Sequence, residues 1–169
     1  MFPHLISANR LKILLPVAIV ALLTVLLGLL PASATLPDEE AGLVYMPSPF
    51  TVAETGDRLE ALLEERPLNL FARIDHAANA ASANKDLPPT QVLIFGNPNA
   101  GTPLMQCNRT VAIDLPQKML LWQDEDGQTW LAYNNPRYLL ERHNLTGCEQ
   151  NIEMIGRALH SLAIAATGG

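Results

Sequence analysis

Apolar residues at helical spacing predict three main helices in this chain. The first begins after Thr51, which together with Glu54 has the pattern of a capping box. The second follows Asp75, a good N-cap, and continues through an alanine-rich segment to about Asn84. The third and last spans residues 149–167. Its apolar face comprises Ile152, Ile155, Leu159, Leu162 and Ala166.

Shorter apolar segments predict the strands of a sheet. Residues 92–95 are apolar at every position, as expected for a central strand, and residues 111–115 predict a further strand before Pro116. Residues 68–74 instead alternate, which predicts a strand with two different faces. The side chains expected on one of those faces are Leu68, Leu70, Ala72 and Ile74.

A hairpin completes the pattern. Asp126 and Gly127 lie between two apolar segments, residues 119–122 and 129–133, and Asp-Gly is favoured in tight hairpin turns. Strands mixed with helices in this order predict an α+β fold with a largely antiparallel sheet.

The first 34 residues have the pattern of a secretory signal peptide. Arg10 and Lys12 precede an uncharged apolar run over residues 13–30, and small residues up to Ala34 provide a cleavage site. The run is also long enough to span a bilayer, so an uncleaved membrane anchor is the alternative. Either way, a linker over residues 35–42 and a single domain over residues 43–169 are expected outside the cytoplasm, periplasmic or secreted.

The charge of that domain excludes one class of partner. Without Arg10 and Lys12, the Lys and Arg count falls from 11 to 9 against 17 Asp and Glu, a formal charge of −8. So acidic a domain without a basic cluster is not expected to bind nucleic acid or anionic lipid surfaces. Contact with a membrane is expected only through residues 13–30, if they are retained.

Two cysteines, Cys107 and Cys148, predict a disulfide in an oxidising compartment. A bond closing a loop of about forty residues would contribute roughly 3–4 kcal/mol through the unfolded state. A metal or redox pair is the alternative, although no C-x-x-C spacing supports it.

Asp75 and His76 are the obvious candidates for catalysis. His76 can serve as a general base or a metal ligand, because the unperturbed pKa of histidine lies near neutrality. Asp75 can equally be a helix cap, and His76 can simply bond a backbone carbonyl. No metal-ligand spacing is present, so a metal site would have to be assembled in three dimensions from His76, Asp114 and His143.

The segment after the predicted strand at residues 92–95 is the other candidate for a binding site. Gly96 and Gly101 lack the spacing of a dinucleotide-binding loop. Thr102 followed by Pro103 predicts the start of a short helix, whose N-terminus can hold an anion, with plain turn chemistry as the alternative.

Several short motifs, taken in order over residues 43–145, closely resemble the domain of unknown function 302 family. The resemblance implies a two-layer α+β domain with helices on one face of a curved antiparallel sheet, mostly bacterial and archaeal relatives, and homodimers as a candidate assembly. It implies no established reaction, substrate or cofactor, and the cysteine pair marks a subgroup. The motifs are Ile74-Asp75-His76, Leu87-Pro88-Pro89-Thr90, Gly96-Asn97-Pro98, Gly101-Thr102-Pro103-Leu104-Met105, Ala112-Ile113-Asp114-Leu115-Pro116, Trp122-Gln123-Asp124 and Tyr133-Asn134-Asn135-Pro136.

The sequence therefore predicts an exported domain that binds a small ligand or a protein partner through the surface around residues 75–106. The ligand-contacting side chains are expected to be His76, Asn79, Asn97 and Thr102.

Two alternatives come from other classes of protein. One is an enzyme that uses His76 as general acid or base, oriented by Asp75 or Asp114. The other is a thiol–disulfide module acting through Cys107 and Cys148. No cofactor is indicated for any of the three.

Overall fold

A computed structural model describes residues 42–169. The predicted signal peptide or anchor, residues 1–34, and the linker up to residue 41 lie outside the described residues. Within the described part, no helix combines the length and the hydropathy of a membrane span.

Five strands and five α-helices follow one another within residues 42–169. The strands are β1 (Leu43–Ser48), β2 (Asn69–Asp75), β3 (Thr90–Gly96), β4 (Gln117–Gln123) and β5 (Thr129–Asn134). The helices are α1 (Val52–Glu64), α2 (His76–Ser82), α3 (Pro98–Cys107), α4 (Tyr138–Arg142) and α5 (Glu149–Thr167), with a 3₁₀-helix at Arg109–Ile113.

The strands form one sheet in the order β1-β5-β4-β3-β2, and every neighbouring pair is antiparallel. Helices α1 and α5 pack against the sheet and each other. Their shared core includes Leu59, Leu93, Leu121, Leu131 and Ile152, all fully buried. This confirms the predicted α+β fold with an antiparallel sheet.

Local capping explains where the helices begin. The Thr51 hydroxyl accepts from the Glu54 N–H at 3.2 Å, while the Glu54 carboxylate accepts from the Thr51 N–H at 3.0 Å, so the predicted capping box forms. The Asp75 carboxylate accepts from the Ala78 N–H at 2.9 Å and caps α2.

Residues 92–95 lie within β3, which is an inner strand with a neighbour on each side, as their apolar pattern predicted. β4 is central, and β3 lies between it and the edge strand β2. Val92 and Ile94 are half-buried on the face away from the helices, whereas Leu93 and Phe95 are buried. Residues 92–95 are therefore apolar on both faces of the strand because the sheet face away from the helices also carries apolar side chains here.

A β-bulge overturns the predicted faces of β2. Leu70 pairs with Phe95 and Ala72 with Ile94, so Phe71 is an extra residue without a partner on β3. The bulge reverses the alternation, and Ala72 and Ile74 no longer share a face with Leu68 and Leu70. Arg73 takes the helix-facing position instead, with Nη1 2.6 Å from Asp57 of α1.

The predicted strand over residues 111–115 is also wrong. The Asn108 side chain accepts from the Thr110 N–H at 3.0 Å, and the Val111 and Asp114 N–H groups bond to carbonyls three residues back. These local bonds satisfy the backbone as a 3₁₀-helix and leave the Ile113 side chain 75% exposed. The cis peptide Leu115-Pro116 then leads into β4.

Candidate functional site

Among residues 42–169, the side chains of Asp75 and His76 are not hydrogen-bonded to each other. The Asp75 carboxylate accepts a hydrogen bond from the backbone N–H that it caps at the start of α2. It also accepts one from the Gln91 amide at 3.3 Å. His76 and Asn79 are exposed on α2, and the hydrogen bonds found among residues 42–169 include none from the His76 side chain. Asp75 therefore caps α2, and within the described part of the chain no carboxylate is hydrogen-bonded to His76.

A cavity of about 270 Å³ opens between α3, α5 and the end of the sheet. We call it the apolar pocket. Its walls come from the start of β2, the end of β3, the first half of α3, the segment leading into β4, and α5. Prominent apolar side chains in these walls are Phe71, Phe95, Met105, Leu115, Ile155 and Leu159.

The β2 bulge and the entry to β4 shape this pocket. Phe71, the unpaired bulge residue, is 57% exposed and lies in the pocket wall. Leu115 and Pro116 form another part of the wall, directly before β4. Both irregular segments therefore contribute to the wall of the pocket.

Two of the four ligand-contacting residues predicted from the sequence line the apolar pocket. Asn97 lies at the start of α3, and Thr102 is an exposed residue at the rim. His76 and Asn79 are not among the lining residues. The predicted binding surface around residues 75–106 therefore does not form one site, because only its C-terminal part, with Asn97 and Thr102, lines the apolar pocket.

The helix start predicted at Thr102 is wrong. α3 begins four residues earlier, because Asn97 accepts from the Asn99 N–H at 2.8 Å and Pro98 supplies a favourable first residue. Thr102 and Pro103 lie inside the helix.

The first turn of α3 has no donor left for an anion. The Ala100 and Gly101 N–H groups both bond to the Asn97 carbonyl at 3.0 Å, and Pro98 has no N–H. With the Asn99 N–H taken by the Asn97 side chain, an anion here would meet no free N–H group.

Gln117 is the site residue that the sequence analysis missed. It lines the apolar pocket from the first position of β4, beside Phe95 of β3. Among residues 42–169, its Nε2 is the one buried side-chain nitrogen or oxygen without a hydrogen-bond partner. Its sequence position, directly after a proline and before an apolar strand, gives no signal that the amide would be isolated.

A second cluster joins residues 107–114 to residues 142–148, and we call it the clasp. The Cys107–Cys148 disulfide closes one side of it, and the Asn108 amide donates to the His143 carbonyl at 2.8 Å. The His143 ring, 5% exposed, bonds to Asp114 through Nε2 at 2.5 Å and to Thr110 through Nδ1 at 2.9 Å.

The carboxylate of Asp114 is held ionised in the clasp. Burial acts to raise its pKa, but hydrogen bonds from His143 and Tyr138 and the charge of Arg142 lower the pKa below its ordinary value. Arg142 Nε lies 3.0 Å from the carboxylate. Burial, together with the same carboxylate, raises the pKa of Tyr138 to about 12.

The Thr110–His143–Asp114 chain has the order of a nucleophile, a base and an orienting acid. Two facts separate it from such a site. The Thr110 hydroxyl also lies 2.9 Å from Asn108 Oδ1, and none of the three residues lines the apolar pocket. The three side chains are hydrogen-bonded within the clasp and link residues 107–114 to residues 142–148.

The structure also separates the residues of the hypothetical metal site. Asp114 pairs with His143, but His76 is not part of this cluster. Within residues 42–169, no group of three or more His, Cys, Asp or Glu side chains is arranged to hold a metal ion.

A protein of known structure has a similar fold. A crystal structure described as an uncharacterized conserved protein DUF302 from Bacillus stearothermophilus superposes with a TM-score of 0.68 and 19% identity. The match covers 74% of this chain and 98% of that one, and at this identity it shows a shared fold alone.

Curated relatives share more sequence. The chain is 46% identical over 106 residues to proteins named fluoride-specific ion channel FluC 1 from Brucella suis and from Brucella abortus. These matches cover 63% of this chain but only 42% and 39% of the relatives, so the chain spans about two fifths of their length.

The family is settled by a match along most of the domain. The family model described as domain of unknown function DUF302 matches residues 44–162, which include β2 to β5, all of β1 except Leu43, and most of α5. The cysteine pair within this range is joined as a disulfide. The chain belongs to the DUF302 family.

Proposed function

We propose that this domain binds a small, largely apolar ligand in the apolar pocket. The observation that carries the proposal is an open cavity of about 270 Å³ with almost entirely apolar walls, among whose lining residues are the amide side chains of Asn97 and Gln117. Ligand sites in proteins combine apolar walls with a few placed polar groups in this way.

The size of the pocket bounds the ligand. An apolar cavity of about 150 Å³ accommodates one benzene molecule, so the present pocket has room for roughly ten to twelve non-hydrogen atoms. Nonan-2-one, with a polar carbonyl on an apolar chain of that size, is therefore a suitable probe.

The test uses one substitution at the pocket mouth and a matched one beside it. Ala158 is an exposed lining residue on α5, so Ala158→Phe places a ring over the mouth without entering the core. Ser161 is exposed on the same helix but does not line the pocket, which makes Ser161→Phe the control. Both exposed substitutions should change the free energy of unfolding by less than about 0.5 kcal/mol.

Titration with nonan-2-one, followed by the methyl resonances of Met105 and Leu159, measures binding. We expect saturable shifts in the wild type and in Ser161→Phe, and at least a ten-fold weaker affinity in Ala158→Phe. His76→Ala should bind like the wild type, because His76 does not line the pocket. Equal affinity in Ala158→Phe, or no shift in the wild type, would exclude this function.

A partner-binding module is the second candidate. It is favoured by the identity to polypeptides named fluoride-specific ion channels, which are more than twice as long as the matched segment. The sheet face away from the helices offers an aromatic surface, where Trp122 lies 5.9 Å from Tyr45 and 6.4 Å from Trp130 between ring centroids. Chemical crosslinking to the remaining segment of the Brucella suis relative tests it, and loss of the crosslink in Trp122→Ser is the expected result. A crosslink that Trp122→Ser leaves unchanged would argue against this face.

The export prediction is part of the same proposal. The disulfide supports an oxidising compartment, because such bonds are rare in the cytosol. N-terminal sequencing of protein from its native source should give a start directly after Ala34, whereas a start at Met1 would contradict cleavage.

A further inference from the structure

A second cavity, of about 260 Å³, opens between α5 and the segment that joins β5 to α4. We call it the cationic groove. Two arginines line it, Arg137 and Arg157, together with His160 and a single acidic residue, Glu153. The domain after residue 34 has the opposite balance, with 9 Lys and Arg against 17 Asp and Glu. The fold therefore gathers cations from two separate elements into one groove of an acidic domain.

The two arginines differ in how they are held. Arg137 Nη2 lies 2.5 Å from Glu153 Oε1, and the Arg137 backbone N–H donates to Asn135 Oδ1 at 3.1 Å. Arg157 is exposed on α5, and in the part of the chain that the structure describes its side chain forms no ion pair and no hydrogen bond. The groove thus has one arginine that is already positioned and one whose guanidinium group is free to pair.

His160 adds an uncharged donor. Its ring is exposed, and its Nδ1 lies 3.4 Å from the hydroxyl of Tyr133, a buried residue that also lines the groove. When this hydroxyl donates to Nδ1, the proton of a neutral imidazole lies on Nε2. Among residues 42–169, Nε2 has no partner of its own, so it can donate to a ligand.

We propose that the cationic groove binds a small oxyanion, a molecule with a carboxylate or phosphate group, between Arg137 and Arg157, with His160 as a further donor. A guanidinium group can form two parallel hydrogen bonds with either anion, and such charge-assisted bonds are stronger than neutral ones. Glu153 opposes the anion by its charge, and two arginines outweigh it. The groove shares no lining residue with the apolar pocket, so this site is independent of the function proposed above.

The experiment titrates the protein with acetate and with inorganic phosphate at pH 7, in exchange for chloride at constant ionic strength. The ring C–H resonances of His160 report binding. Three variants are compared with the wild type, namely Arg157→Gln, Glu153→Gln and Arg109→Gln. Arg109 is exposed on the 3₁₀-helix and does not line the groove, so its substitution removes the same charge elsewhere on the domain.

The expected pattern depends on position and not on net charge. The wild type should show saturable shifts, and the probe that binds more tightly identifies a carboxylate or a phosphate as the preferred group. Arg157→Gln should weaken binding at least about ten-fold, as for the loss of a charge-assisted hydrogen bond. Glu153→Gln should strengthen it roughly five-fold, because a repulsive charge is removed. Arg109→Gln should bind like the wild type.

Three results would overturn the proposal. One is the absence of saturable shifts in the wild type with both probes. Another is equal weakening by Arg157→Gln and Arg109→Gln, which would show an effect of net charge alone. The third is unchanged or weaker binding by Glu153→Gln, which would mean that the anion does not lie beside the Arg137–Glu153 pair.

Discussion

The clasp and the apolar pocket are close in the chain but opposite in character. The clasp contains the residue types associated with catalysis, Thr110, Asp114 and His143, and it bonds them to one another. The pocket contains mostly apolar side chains, but Gln117 leaves a buried donor free. The comparison teaches that the polar side chains of the clasp are used within the fold, whereas the pocket is left open with almost entirely apolar walls, which makes the pocket the better candidate for a ligand site.

The largest effect should come from opening the clasp at its disulfide. Replacing both Cys107 and Cys148 by Ala should lower the free energy of unfolding by about 3–4 kcal/mol, because the unfolded chain is no longer closed across 41 residues. Urea denaturation measures the loss. Wild-type protein treated with a reductant keeps both sulfur atoms, so it should show most of the same loss. Unchanged stability in both samples would mean that the clasp is held by its hydrogen bonds alone.

A smaller effect should follow from removing the charge within the clasp. Asp114→Asn should cost about 1–3 kcal/mol at pH 7, since the carboxylate accepts charge-assisted bonds from His143 and Arg142. The folded-state pKa of Asp114 is lowered, so its contribution is present above its unfolded pKa of about 3.9 and is lost as the pH falls through the lower folded value.

Denaturation curves from pH 7 to pH 2.5 check this dependence. The wild type and Asp114→Asn should converge at acid pH, because protonation removes the wild-type advantage. Asp86→Asn is the matched control, since Asp86 is exposed in the loop before β3 and its carboxylate forms none of the side-chain bonds found in residues 42–169. A gap between the wild type and Asp114→Asn that stays constant with pH would contradict the assignment of the effect to this carboxylate.

The smallest effect, and the one of opposite sign, should come from the pocket. Gln117→Leu should raise the free energy of unfolding of the ligand-free protein by about 1 kcal/mol, because it removes a buried donor that has no partner. Gln91→Leu is the contrast on the neighbouring strand. The Gln91 amide oxygen accepts from Arg73 at 2.9 and 3.1 Å, so its loss should destabilise the domain by about 1–3 kcal/mol.

Thermal and urea denaturation of Gln117→Leu and Gln91→Leu measure whether each substitution stabilises or destabilises the domain. If both substitutions destabilise the protein, Gln117 is satisfied in solution and the contrast between pocket and clasp disappears. If only Gln91→Leu destabilises it, the amide of Gln117 is retained for a reason other than stability.

Part of the candidate site could be predicted from the sequence. Asn97 and Thr102 were expected near a helix start, and both line the apolar pocket although the helix begins earlier than predicted. His76 and Asp75 were predicted as site residues because imidazole and carboxylate groups are common in catalytic sites. Gln117, which the sequence analysis missed, is distinguished only by the tertiary structure, which buries its amide nitrogen without a partner.

The sequence by itself determined the fold class, the helix caps, the hairpin and the cysteine pair. These features depend on residues within a few positions of one another, or on a composition that leaves one pairing, and local bonds such as Thr51 with Glu54 form in any context that allows a helix. Only the tertiary structure decided which sheet face Arg73 occupies, which carboxylate His143 bonds, and where the cavity lies. Each of these depends on a bulge, or on contacts between residues far apart in the chain, such as the 29 positions from Asp114 to His143, and no local pattern encodes such contacts.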